Sequence, residues 1–224
     1  MPNWTFNHLT LEATTGAGRT ALAIFVNSSL EANESEFPSE LRLTFNGLIP
    51  MPEELRIGGV PASSIYTEEE VVEAIKKLSQ PDLEEHKKER IQKNLLQYTN
   101  QMKYGFSDWY SWSIAKWGTK WDACDTDITH QSEDVLQIRF NTAWNAPHRW
   151  LHQLFTMEEF MPLCIRYFHE DEGEGCYGPN EEEWFNDRRY FIRKSGSSDI
   201  ETVFISGKQM SEAGIDEFLE ENGL

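Results

Sequence analysis

Cysteine is scarce, with three residues in a chain of 224. Cys124, Cys164 and Cys176 are odd in number, and the chain is long enough to bury a core without staples. A disulfide scaffold is therefore excluded as the organising device, and a reducing compartment is expected. Positive charge is also scarce. Twenty Lys and Arg stand against 38 Asp and Glu, a formal net charge of -18. A general nucleic-acid binder needs a basic face to neutralise phosphates, and anionic membranes repel an acidic protein, so both partner classes are disfavoured. No apolar run approaches the ~20 residues that span a bilayer. The start, Met-Pro-Asn-Trp-Thr, has neither a basic segment nor an apolar one of the secretory kind, so a cytoplasmic protein is expected. No Ser/His/Asp or Cys/His nucleophile set has a recognisable local signature, and no cofactor is expected.

Aromatic residues are what the chain has. Thirteen Phe, eight Trp and seven Tyr supply the apolar area of a folded core. The length suits one elaborated domain or two small ones. Trp4, Phe6 and His8 alternate with Thr5 and Asn7 as in a strand, and Leu9 and Leu11 then shift the apolar phase. Ala13 to Gly18 reads as a turn, and Leu22, Phe25, Val26 and Leu30 recur at helical spacing over about 18–31. After an acidic polar loop from Asn33 to Ser39, Leu41, Leu43 and Phe45 predict a strand, stopped by Pro50 and Pro52. Thr67 and Glu70 form a capping-box pattern. Val71, Val72, Ile75 and Leu78 line one face of the helix it opens. A second helix follows Pro81, with a stripe of Ile91, Leu95, Tyr98 and Met102 expected to pack against the rest of the chain. Gly105 is its stop. Its polar face carries Lys87, Lys88, Arg90 and Lys93.

Six of the eight tryptophans lie between positions 109 and 150. Of these Trp112, Trp117, Trp121, Trp144 and Trp150 are expected, with Phe140, to be buried together, because so bulky a side chain usually loses most of its surface on folding. Val135, Ile138 and Phe140 predict a strand. Asn145 predicts a cap for a short helix with Pro147 in its first turn, and Leu163, Ile165 and Tyr167 another strand. An acidic loop spans Glu170 to Glu183. Tyr190–Arg193 and Thr202–Ile205 are further strand candidates, and Ser211 can cap a last helix. The alternation of elements predicts an α+β fold with an antiparallel sheet of four or more strands and helices on one face.

Several phrases resemble the YubB-type ferredoxin-like domain, a family of phage- and plasmid-borne proteins. They are Met1 to Thr10, Leu48-Ile-Pro-Met-Pro-Glu-Glu-Leu55, Trp112 through Trp117-Gly-Thr-Lys-Trp-Asp-Ala123, Phe140-Asn-Thr-Ala-Trp-Asn-Ala-Pro147 with Trp150-Leu151, and Arg166-Tyr-Phe followed by acids and Gly-Cys-Tyr-Gly178. The chain departs from the pattern at Asn141, where an acid is frequent, and at Ala146, where Pro is common. The resemblance implies a split β-α-β core over 1–56 and 107–178 and a mobile-element origin, and it implies no activity. Residues 57–106 are then a helical insertion, and 179–224 add C-terminal strands and a helix to the same domain.

Four features could carry chemistry. Ala13-Thr-Thr-Gly-Ala-Gly18-Arg19-Thr20 has the context of a phosphate loop, but Ala13 and Arg19 stand where the first Gly and the Lys belong, and a plain turn explains the glycines. His148 and His152, four apart on a helix, could face one metal, with Cys124, His130, Cys164, His169 and Cys176 as further ligands only if folding gathers them. The loop Glu170 to Gly178 lacks the spacing of a calcium loop. Trp117, Lys120, Trp121 and Asp122 form a candidate ligand face, since aromatic and basic residues interleave there as in a base-stacking platform. The alternative is that these tryptophans are core.

Two functional readings follow. The first is a non-enzymatic accessory protein that binds a host or defence-system protein, including as a mimic of nucleic-acid phosphate. Its partner surface would be Glu170, Asp171, Glu172, Glu174, Glu181, Glu182 and Glu183, a run with no Lys or Arg that stays solvated unless a cation or basic partner meets it. The second is a small divalent-metal-dependent hydrolase or nucleic-acid-modifying enzyme, whose carboxylates the sequence does not single out.

Overall fold

The computed structural model describes residues 3–32, 41–57, 65–171, 176–177, 184–185, 187–193, 196 and 200–206. Its elements run β1 (Trp4–Ala13), α1 (Gly16–Ser29), β2 (Leu30–Ala32), β3 (Leu41–Leu43), α2 (Glu68–Leu78), α3 (Glu85–Tyr104), α4 (Trp109–Lys116), β4 (Cys124–Gln131), β5 (Val135–Ala143), α5 (His148–Thr156), β6 (Leu163–Asp171), β7 (Cys176–Tyr177), β8 (Trp184–Phe185), β9 (Asp187–Arg193) and β10 (Ile200–Ser206). They belong to two compact units. Met1–Pro50 with Trp117–Leu224 makes the first, and Met51–Lys116 the second. The fold is α+β. The acidic stretch 33–39 and the helix expected after Ser211 lie outside the described residues.

The first unit is built on a six-stranded antiparallel sheet in the order β10-β9-β6-β1-β5-β4. β1 is a central strand. Its Leu9 stands opposite Ile138 of β5 and Tyr167 of β6, and Leu11 opposite Leu136 and Ile165. All six are essentially without exposed surface. The phase shift in β1 now has a cause. Side chains of a strand alternate between faces, and residues 5, 7, 9, 11 and 13 are all buried, with Thr10 the one buried residue of the other set. Phe6, in the other set, is 42% exposed. Thr5 and Asn7 therefore belong to the core in spite of their polarity, and they are satisfied there. The Asn7 amide donates to the carbonyls of Thr5 and Phe140 and to Thr142 Oγ1, at 2.8, 3.1 and 3.1 Å, while Tyr167 donates its hydroxyl to Asn7 Oδ1 at 2.5 Å.

Helix α1 starts where Thr15 accepts from the Gly18 N–H at 3.0 Å, an N-cap, which makes the Gly-rich stretch a helix start. It buries Ala21, Leu22, Phe25 and Ser29. Phe25 meets Trp150 of α5 and Phe160 edge-on, at 6.3 and 5.9 Å. The centre of this core is Phe45, with ring centroids 4.9 Å from Trp150, 5.8 Å from Trp117 and 6.0 Å from Phe140. Phe45 is not in a strand as expected. β3 ends at Leu43, and Phe45 opens a 3-10 turn capped by Thr44. Gly47 closes that turn against the end of α1, where a Cβ would overlap the Ser28 carbonyl. Asn145 does not cap α5. Pro147 occupies the N-cap position, and the Asn145 carbonyl instead accepts from Thr142 Oγ1 at 2.9 Å. The fixed ring of Pro147 ends the preceding turn and starts the helix without a side-chain cap.

In the second unit the Thr67/Glu70 capping box is present and α3 stops at Gly105, whose φ is 75°. Val72 and Ile75 share a face of α2 but face solvent, at 52% and 54% exposed. The α3 stripe also differs from expectation. Met102 is 66% exposed, Ile91, Leu95 and Tyr98 are half-buried, and the buried residues are Gln97 and Asn100. Asn100 is satisfied where it is buried, since its Nδ2 donates to the Glu54 carbonyl at 2.8 Å. α4 is opened by Asp108, whose Oδ1 accepts from the N–H groups of Tyr110 and Ser111 at 3.1 and 3.2 Å.

Candidate functional site

The loop from Trp117 to Ala123 divides its side chains between anchoring and display. Trp117 is an anchor. It is 3% exposed, and its indole N–H donates to the Ile49 carbonyl at 3.0 Å. Gly118 follows at φ 90°, in the left-handed region, with its Cα so close to the start of α5 that a Cβ would lie 2.9 Å from the His148 nitrogen. Only glycine meets both conditions without strain. Thr119 is buried and donates to the Ala143 carbonyl at 2.9 Å. Asp122 accepts from Thr44 Oγ1, Asn46 Nδ2 and the backbone N–H groups of Phe45 and Ala123, at 2.8, 3.0, 2.6 and 2.9 Å. Both Trp117 and Asp122 are thus structural and leave the candidate ligand face.

Lys120 and Trp121 remain, displayed between the anchors. The Lys120 ammonium lies 4.6 Å from the Trp121 ring centroid and 4.5 Å from that of Trp144. Trp4 completes the cluster, 6.2 Å from Trp121 with the rings at 51°. Trp121 is half-buried and Trp144 is 38% exposed, so neither joins the tryptophan core as expected. Trp144 leaves it because its backbone turns left-handed at the end of β5, with φ 75°, held by a 2.8 Å bond from its N–H to the Asn3 carbonyl. Phe6 stands two residues from Trp4 on the same face of β1, and is 42% exposed. The result is a partly exposed aromatic ridge with a cation set into it.

The other candidates fare differently. His148 packs edge-on against the buried His169, ring centroids 5.5 Å apart. Among the described residues, no three His, Cys, Asp or Glu side chains gather as a metal site would require. The Cys124 thiol is pushed up in pKa by burial and by the nearby carboxylates of Asp125 and Asp122. Glu170 and Asp171 are the last residues of β6, opposite Phe6 and Thr5 of β1. Glu172, Glu174, Glu181, Glu182 and Glu183 lie outside the described residues. No helix among the described residues is long and apolar enough to cross a membrane.

Trp4 and Trp144 are the site residues that sequence reasoning missed. The parity of Trp4 with exposed Phe6 was the available signal for one. For the other it was the Trp-Asn-Ala-Pro stretch, since Pro147 forbids a continuing strand partner and invites a sharp turn. No family model, curated protein or solved structure matches the chain.

Proposed function

We propose that the protein is a ferredoxin-like module of the YubB type, of phage or plasmid origin, that binds a basic host or defence-system protein without catalysis, in part by imitating nucleic-acid phosphate. The observation that carries this reading is the aromatic ridge of Trp4, Trp121 and Trp144 with Lys120, on a chain of net charge -18. Exposed tryptophan is expensive to leave in water and is enriched among the few residues that dominate protein–protein binding. A strongly acidic field steers basic partners and excludes acidic ones. The ferredoxin-like reading is supported by strand order. Taken alone, β1, β4, β5 and β6 lie as β6-β1-β5-β4, with α1 between β1 and β4 in the chain and α5 between β5 and β6. Each of those two connections therefore spans a strand that lies between its ends, as in a split β-α-β unit. In this reading the acidic stretch from Glu170 to Glu183 supplies the field and the ridge supplies the contact.

The test is capture from bacterial lysate on three baits: the native chain, a Trp121→Ala/Trp144→Ala variant, and a Glu172→Gln/Glu174→Gln/Glu182→Gln/Glu183→Gln variant. A basic protein held by the native bait at low salt, lost from the first variant and weakened on the second, supports the reading. Retention of the same proteins by all three baits overturns it. Turnover of a nucleic acid or phosphoester that requires an added divalent metal would favour the enzyme reading.

A further inference from the structure

A pair of indole rings that both approach one ammonium is a cation receptor, and here the chain fills it with its own Lys120. We propose that this receptor takes an arginine guanidinium from the basic partner, with Lys120 holding its place in the free protein. The inference rests on the protein-binding reading above and adds the chemistry of the group that is bound.

Three observations support it. The first is position. At 4.6 and 4.5 Å from the Trp121 and Trp144 centroids, the ammonium is within the range at which ring quadrupoles attract a cation, and it is so placed for two rings together. The second is backbone strain. A φ of 75° is unfavourable for a residue as bulky as Trp144. It persists because the surroundings over-determine it, through the Asn3 carbonyl at the Trp144 N–H and through Thr119 on the adjacent Ala143 carbonyl. Such outliers concentrate where a ligand is clamped. The third is charge. A net charge of -18 draws cationic side chains toward the molecule. Between two indoles a guanidinium is the better guest. It is planar, stacks on aromatic faces and is weakly hydrated, whereas an ammonium is compact and holds its water strongly. Lys120 is thus displaceable by arginine, and until then it occupies the position beside half-buried Trp121 and exposed Trp144.

The experiment titrates N-acetyl-arginine amide into the full chain and follows the indole N–H signals of Trp121 and Trp144 by NMR. Removing the resident cation in Lys120→Ala should tighten binding about tenfold over the native chain, the equivalent of one to two cation–π contacts. N-acetyl-lysine amide should bind more weakly than the arginine compound. Adding Trp144→Ala to Lys120→Ala should abolish the response. Lys120→Gln, which retains most of the stem, repeats the comparison should the alanine variant not fold. Equal affinity in the native chain and both Lys120 variants overturns the inference, as does a response that survives Trp144→Ala. The two readings fail separately. A partner lost on Trp144→Ala while neither Lys120 variant responds to guanidinium leaves the protein-binding reading standing and removes the arginine. A guanidinium response with no captured partner keeps the receptor and removes the host protein.

Discussion

Phe45 has no exposed surface and touches the rings of Trp117, Phe140 and Trp150, whereas Trp144, near the end of β5, keeps 38% of its surface in water. Truncation should separate them. Phe45→Ala is expected to lower the free energy of unfolding by about 3–5 kcal/mol in a urea titration, since a ring cavity in a packed core collapses poorly. Trp144→Ala should cost under about 1 kcal/mol. Trp144→Gly should then be the more stable of the two Trp144 variants by about 1 kcal/mol, because a left-handed residue strains alanine and not glycine. Equal stability of the two would show that the left-handed turn is not kept in solution. Glu54 offers a test by pH. Its carboxyl is held down to about 2 by its own backbone N–H first, then by hydrogen bonds from Lys103 and Tyr104. The folded value lies below the ordinary 4.5, so its contribution to stability is complete above 4.5 and is lost as the pH falls from there to about 2. Lys103→Ala should raise the midpoint of the Glu54 carboxyl signal. A midpoint still near 2 would remove Lys103 from the causes and leave the backbone donor and Tyr104. Residue identity alone did not separate core tryptophans from displayed ones. What decides between Trp117 and Trp144 is a backbone turn and a bond to Asn3, more than a hundred positions away, and neither is written in local periodicity.

At the scale of elements, local signals were legible where local chemistry decides. Thr67 with Glu70, Gly105 and the alternation in β5 and β6 each specify an end or a face through neighbours a few residues away. β1 and α3 were harder to read, for one shared reason. Each puts polar side chains inward because a distant polar group meets them, Asn7 on Tyr167 and Asn100 on Glu54. A hydrophobic stripe cannot report such a partner. The edge strand β4 is a further case. Its pairing with β5 shifts register twice, and Asp125 has φ 47°, a kinked and acidic edge of the kind that discourages pairing with a second chain. For α3 the consequence is measurable. Asn100→Ala leaves the Glu54 carbonyl unpaired and should destabilise the protein by about 1–3 kcal/mol. Met102→Ala removes a side chain that is 66% exposed and should change stability by under about 0.5 kcal/mol. The reverse ranking in thermal melts would mean that the apolar stripe, and not the asparagine, holds α3.

Across the whole molecule the dominant quantity is charge, and its effect on stability has two opposed parts. An excess of eighteen negative charges repels itself and disfavours the compact state. Surface pairs such as Arg19–Asp134 at 2.6 Å, Lys87–Glu84 at 2.8 Å and Lys103–Glu54 at 3.0 Å work the other way. Salt weakens both. Magnitude decides the sign. An exposed pair contributes about 0–1 kcal/mol, and most such pairs contribute near the lower end. The repulsion acts between every acid and its many neighbours, over distances that a Debye length of about 10 Å at 0.1 M begins to cut. The melting temperature should therefore rise as sodium chloride is added from a low-salt buffer, before any effect of salt on hydrophobic burial enters. Neutralising Glu172, Glu174, Glu182 and Glu183 together to Gln should raise the low-salt melting temperature and flatten its dependence on salt, since four of the charges that salt screens would already be gone. A melting temperature that falls with added salt would mean that the surface pairs outweigh the net charge. Net charge would then not dominate the electrostatics of the molecule, and a long-range acidic field would be a poor basis for attracting a partner.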